Sequence, residues 1–145
     1  MFKVLFVCTA NIYRSRFSEE VFNDFAIKND LPTEAFSAGL KVGHFKTRKI
    51  YKPALDELLR LKIKPVRANE NSIHVNDIKL KNYDMIICMD EKEHKPMILL
   101  NSAFNGKNII YWNIIDEPYV SANVSLPKCY KKIRDLISEL STKIA

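Results

Sequence analysis

The stretch Lys3-Val4-Leu5-Phe6-Val7-Cys8-Thr9-Ala10-Asn11-Ile12-Tyr13-Arg14-Ser15 leaves an apolar run and enters a helical pattern. Lys3 to Val7 is nearly continuous in apolar residues, which marks a parallel strand buried on both faces. From about Ser15 to Lys28, the residues Phe17, Val21 and Phe25 recur every four positions, the stripe of an amphipathic helix.

The alternation continues along the chain. Ala35-Phe36-Ser37-Ala38 is a short strand that Gly39 terminates. Pro53 fits a first helical position, and Leu55, Leu58, Leu59 and Ile63 follow it as a second helix. Asp84 to Met89 is another apolar strand, Glu91 to Leu100 a short helix, and Asn108 to Trp112 a fourth strand. Cys129, Ile133, Leu136, Ile137, Leu140 and Ile144 mark one face of a C-terminal helix. Four strands separated by helices predict an α/β fold: a four-stranded parallel sheet with helices on both faces, three layers αβα. A length of 145 residues and the lack of repeats or linkers predict a single domain over 1–145. Ligands of such sheets bind beyond the carboxyl ends of the strands, so the site should follow Val7, Gly39, Met89 or Trp112.

Composition narrows the function classes. The chain is 47% hydrophobic and 28% charged, an ordinary globular balance. Its net charge of +6 comes from scattered basic residues, with no dense run, zinc-ligand spacing or RNA-binding aromatic signature, so nucleic acid is not an expected partner. The three cysteines, Cys8, Cys88 and Cys129, cannot all pair, which fits a reducing compartment. The apolar run Met1 to Cys8 is too short for a membrane span, so a soluble, cytoplasmic protein is expected.

The chemistry concentrates after the first strand. Five residues separate Cys8 from Arg14. A loop of that length wraps one tetrahedral anion with its backbone N–H groups pointing inward, and the following helix adds its N-terminal partial charge. Arg14 closes the ring with a planar, two-pronged donor suited to two phosphate oxygens. A thiol beside a helix N-terminus and an arginine ionises more easily than a free one. Ser15 is placed to donate a hydrogen bond to that sulfur. Asn11 tolerates a left-handed backbone, which suits a tight loop without glycine.

These residues resemble the low-molecular-weight protein tyrosine phosphatases, which carry a C-x-G-N-x-C-R-S-P loop after their first strand. The matching stretch is Cys8 to Arg16. The likeness extends to Ser37-Ala38-Gly39, to Pro53-Ala54, to Tyr83 through Asp90, and to Asp116, where the family has an aspartate-proline general acid. It implies that Cys8 attacks phosphorus, that Arg14 and the loop from Thr9, Ala10, Asn11, Ile12 and Tyr13 to Ser15 hold the phosphate, and that Asp116 is the acid and then the base. No metal or other cofactor is implied. Ser37 and Asn11 resemble the family's supports of the loop, and Tyr119, His44 and Phe45 fall where it has an aromatic rim. Ile12 occupies the position that separates tyrosine-type from arginine-type enzymes, and its apolar branched side chain resembles the tyrosine type.

The sequence departs from the family pattern in several places. Ala10 replaces a glycine, and Tyr13 replaces a second cysteine that can pair with the nucleophile. Arg16 replaces a proline and is expected to add positive potential near the site. Glu117 separates Asp116 from Pro118 and is a competing acid. A family histidine upstream of the third strand has no match, because His74 comes several positions too late. His74 and His94 show no metal-ligand spacing and receive no role. Cys88 and Cys129 read as core residues. The expected partner is therefore a phosphotyrosine-containing protein substrate. An arsenate reductase, a phosphoarginine phosphatase and a catalytically impaired anion-binding module are the alternatives.

Overall fold

The computed structural model describes residues 1–43 and 48–144. Strands β1 (Phe2–Cys8), β2 (Thr33–Gly39), β3 (Met85–Cys88) and β4 (Ile109–Tyr111) form one parallel sheet in the order β2-β1-β3-β4. Helices α1 (Arg14–Lys28), α2 (Lys52–Arg60), α3 (Glu91–Leu99) and α4 (Ala122–Ile144) connect and cover it. Val4, Leu5, Phe6 and Val7 of β1 are all completely buried, as a central strand between two layers requires.

Successive β1 residues feed opposite cores. Val4 and Phe6 join Phe17, Val21 and Phe22 of α1, Leu58 of α2, and Ile133 and Leu140 of α4. Leu5 and Val7 join Ile98 of α3 with Val75, Leu80 and Phe104, which lie on short 3-10 turns. Helices therefore lie on both faces of the sheet, as expected. No described helix is long and apolar enough to cross a membrane.

Among the boundaries that differ from the sequence reading, those of two helices change the packing. Helix α2 ends at Arg60, so Ile63 packs into the core from beyond it, and Leu59 is exposed while Leu58 is buried. Helix α4 begins at Ala122, ahead of Pro127, which it accommodates internally at the cost of one ladder hydrogen bond.

The end of β2 is pressed against the loop that follows β1. Gly39 pairs with Cys8, and the next N–H groups, of Leu40 and Lys41, donate to the carbonyls of Cys8 and Thr9. A Cβ at Gly39 would sit 2.8 Å from the Thr9 oxygen and 3.1 Å from the Ala10 carbonyl carbon. Both are backbone atoms of the loop, so Gly39→Ala must displace it. The expected cost is about 1–3 kcal/mol of stability and about a tenfold loss of any activity that the loop supports. Thermal unfolding together with steady-state kinetics checks this, and a variant with parent activity would refute it.

Candidate active site

Cys8 ends β1, and α1 starts at Arg14, so the intervening loop lies at the carboxyl edge of the sheet. Asn11 takes the left-handed conformation, with φ 56°, a geometry that asparagine tolerates better than most residues. Its N–H lies 3.3 Å from Cys8 Sγ. Its side chain donates to Ser15 Oγ (3.0 Å) and to Ser37 Oγ (2.9 Å), and accepts from the Ile73 N–H (2.9 Å). Ser15 Oγ lies 2.9 Å from Cys8 Sγ. Because Ser15 already accepts from Asn11, its own proton is free for the sulfur. Cys8, Asn11, Ser15 and Ser37 are all buried, which fixes the geometry without a glycine in the loop.

The support extends inward. Ser37 donates to Glu19 Oε1 (2.6 Å), and Arg67 grips Glu19 with Nε (2.6 Å) and Nη2 (2.8 Å). Arg67 also stacks over the Phe36 ring, 4.3 Å from its centroid. Arg67 carries no motif signal; only the fold brings it to Glu19. Arg16 corrects an expectation. It does not line the pocket: it is buried, and its Nη2 donates to the carbonyls of Arg67 (2.5 Å) and Glu70 (3.0 Å). Burial lowers its pKa, and its role is to tie the 67–70 segment to α1.

Arg14 is almost completely buried. Its Nη1 donates to Glu93 Oε1 and to the Ile114 carbonyl, both at 3.0 Å, and its Nη2 donates to Glu93 Oε2 at 2.9 Å. Asp116 Oδ2 lies 3.3 Å from Nη2. Burial works against the guanidinium's charge, but the neighbouring Cys8, Glu93 and Asp116 outweigh it and raise its pKa.

A cavity of about 300 Å³ opens above these groups. Cys8, Ala10 and Arg14 line it together with Ile12, Tyr13, Arg48, Tyr51, Asp116 and Glu117. Tyr13 and Tyr51 pack edge to face, 5.4 Å between ring centroids. The two acidic residues differ in their contacts. Asp116 reaches Arg14, whereas Glu117 accepts from the Tyr51 hydroxyl at 3.1 Å.

Tyr119 corrects another expectation. It is 86% exposed and is not part of the pocket wall, which Tyr13 and Tyr51 supply instead. His44 and Phe45 lie outside the described residues. Glu93 and His94 were missed. Glu91 and Glu93 in the first turn of α3 look like ordinary acidic residues at a helix N-terminus. Their position just past the end of a central strand was the available signal. Among the described residues, no group of three His, Cys, Asp or Glu side chains could hold a metal ion.

Residues 3–145 match the family model for low molecular weight phosphotyrosine protein phosphatases. The chain belongs to that family. Solved structures of similar fold include YfkJ from Bacillus subtilis, at 23% identity and a TM-score of 0.84, covering 100% of this chain and 98% of that one. A low molecular weight protein tyrosine phosphatase from T. tengcongensis is 22% identical with a TM-score of 0.78, covering 99% of each chain. The family fold also serves other chemistry. An arsenate reductase from Archaeoglobus fulgidus is 22% identical with a TM-score of 0.71, covering 93% of this chain and 98% of that one, and the arginine phosphatase YwlE is similar too. No curated protein matches this sequence.

Proposed function

We propose that the protein hydrolyses phosphotyrosine through a cysteinyl-phosphate intermediate. The observation that carries this reading is the single cavity that Cys8 and Arg14 line together with Ile12, Tyr13 and Tyr51. A cavity that brings the rings of Tyr13 and Tyr51 together with Cys8 and Arg14 suits a phenyl phosphate, since ring contacts contribute about 0.5–1.5 kcal/mol each beyond area burial.

Cys8 attacks phosphorus in line; the S–P bond forms as the P–O bond to the phenol breaks. Asp116 gives its proton to the departing phenolate. Water then attacks the phosphocysteine, Asp116 takes its proton, and the S–P bond breaks with the electron pair returning to sulfur. The Ser15 hydroxyl, 2.9 Å from that sulfur, stabilises the charge as it returns.

Reduction of arsenate by a cysteine relay is disfavoured by the other thiols. Cys88 and Cys129 are completely buried. Burial pushes both up to about 12, far from a reactive thiolate.

A comparison of substrates tests the reading. A phosphotyrosine peptide should be hydrolysed without metal, at least about tenfold faster in kcat/KM than phosphoarginine, because Tyr13 and Tyr51 offer ring contacts. The opposite order, or thioredoxin-coupled arsenate reduction, would reject tyrosine specificity. Asp116→Asn is expected to slow phenyl phosphate by about 10²- to 10³-fold and p-nitrophenyl phosphate far less, since an activated phenolate needs little proton assistance. The same pattern in Glu117→Gln instead would move the acid role to Glu117.

A further inference from the structure

One carboxylate touches both ends of the phosphate loop. Glu93 accepts from Nη1 and Nη2 of Arg14, the loop's last residue, and also from the hydroxyl of Thr9, next to Cys8. His94 Nε2 lies 3.2 Å from Glu93 Oε2 and 3.1 Å from Thr9 Oγ1. The Asp90 N–H donates to His94 Nδ1 at 3.0 Å. That contact leaves the proton of a neutral imidazole on Nε2, facing Glu93 and Thr9. Donors from three residues thus converge on one carboxylate.

A guanidinium has two forks, the end-on pair Nη1/Nη2 and the side-on pair Nε/Nη2. Glu93 occupies the end-on fork; Asp116 Oδ2, 3.3 Å from Nη2, is the contact that an arriving anion must exchange for its own. Arg14 Nε is buried and has no hydrogen-bond partner. A buried donor without an acceptor costs about 1–3 kcal/mol, and an anion oxygen in the cavity would remove that cost.

We propose that Glu93 is the positioning residue of this site: by holding the end-on fork of Arg14 and the hydroxyl of Thr9, it presents the side-on Nε/Nη2 fork to the phosphate before substrate arrives. The proposal rests on the phosphatase reading for its kinetic consequences, and on the anion site alone for its binding consequences. Burial pushes the Glu93 carboxyl up, but hydrogen bonds from His94, Arg14 and Thr9 outweigh it and hold it well below the usual carboxylate range. Glu93 is therefore ionised throughout the pH range of an assay. Preorganisation of this kind acts most strongly on the trigonal-bipyramidal transition state, whose equatorial oxygens need the fork in one orientation.

An ionised carboxylate beside Arg14 could instead act as a counter-ion that merely weakens anion binding. Glu93→Gln separates the two roles, because it keeps the length but loses the charge and turns one of the two accepting oxygens into a donor. In the positioning role, kcat for p-nitrophenyl phosphate falls about 10- to 100-fold while KM stays within about threefold. Vanadate binding, read by calorimetry, weakens by a similar factor, and inorganic phosphate binding weakens much less. An unchanged or raised kcat with tighter phosphate binding would overturn the proposal in favour of a counter-ion. A lower melting temperature with intact kcat per folded molecule would overturn it in favour of a structural brace.

If Glu93→Gln does not fold, Glu93→Asp keeps the charge but is one methylene too short to span both ends of the loop. It is expected to show the same kcat loss, and parent kcat in that variant would refute the proposal. A parent protein that turns over no phosphomonoester would reject the phosphatase reading. Even then, the vanadate and phosphate affinities of Glu93→Gln decide the orientation of Arg14.

Discussion

Cys8→Ser should reduce p-nitrophenyl phosphate turnover by at least about 10⁴-fold, to below detection, while leaving inorganic phosphate bound within about threefold of the parent. The two halves of this result have separate causes. Turnover needs a nucleophile that is a competent anion at neutral pH, and a serine hydroxyl is not one. Binding needs the loop, Arg14 and the start of α1, none of which depends on the sulfur. Asn11 and Ser15 are braced through Ser37, Glu19 and Ile73 rather than through Cys8 alone, so the cradle should survive. Steady-state kinetics under reducing conditions and phosphate calorimetry measure the two parts. Turnover above 1% of the parent would remove Cys8 from the nucleophile's role.

Arg14→Ala is expected to lower kcat/KM by about 10³- to 10⁵-fold, the range found for arginines that stabilise phosphoryl transfer. It should also destabilise the fold, because Glu93 loses its buried partner. Breaking one side of a buried ion pair typically costs about 3–5 kcal/mol. The Glu93 side chain retains 27% exposure, so the lower end of that range is expected here. The double variant Arg14→Ala/Glu93→Gln separates the two losses. It should recover much of the melting temperature and none of the turnover. Recovery of activity in the double variant would mean that Arg14 serves Glu93 rather than the phosphate. Arg14→Lys keeps the charge but has no fork, so it should stabilise the fold better than alanine and still lose at least about a hundredfold in kcat/KM.

Much of the fold and part of the site were legible in the chain because they depend on local pattern. Val4 to Val7 read as a buried strand since every position in a doubly covered strand must be apolar, and all four are completely buried. The spacing of Cys8 to Arg14 between strand and helix pointed to an anion loop, since five residues and a helix N-terminus suffice to form one. Asn11 was recognisable for its tolerance of a left-handed backbone, and it adopts one. The sequence also singled out Ser15 and Ser37, which the fold brings to Cys8 and Asn11.

What the tertiary structure alone decided is how distant polar groups meet. Glu93 is separated from Arg14 by 79 positions, and Arg67 from Glu19 by 48. No periodicity encodes such pairings, because each arises from the crossing of separate elements at the carboxyl edge of the sheet. Arg16 looked like a source of charge for the pocket until the fold gave it the Arg67 and Glu70 carbonyls. Tyr119 looked like a wall until the path of the acid loop left it in solvent and Tyr51 took that place. Sequence by itself determined the strand-loop-helix unit and the residues within it, since neighbours in the chain stay neighbours in space. Which carboxylate holds the arginine and which rings line the cavity were settled by packing, since those contacts exist only once the layers close.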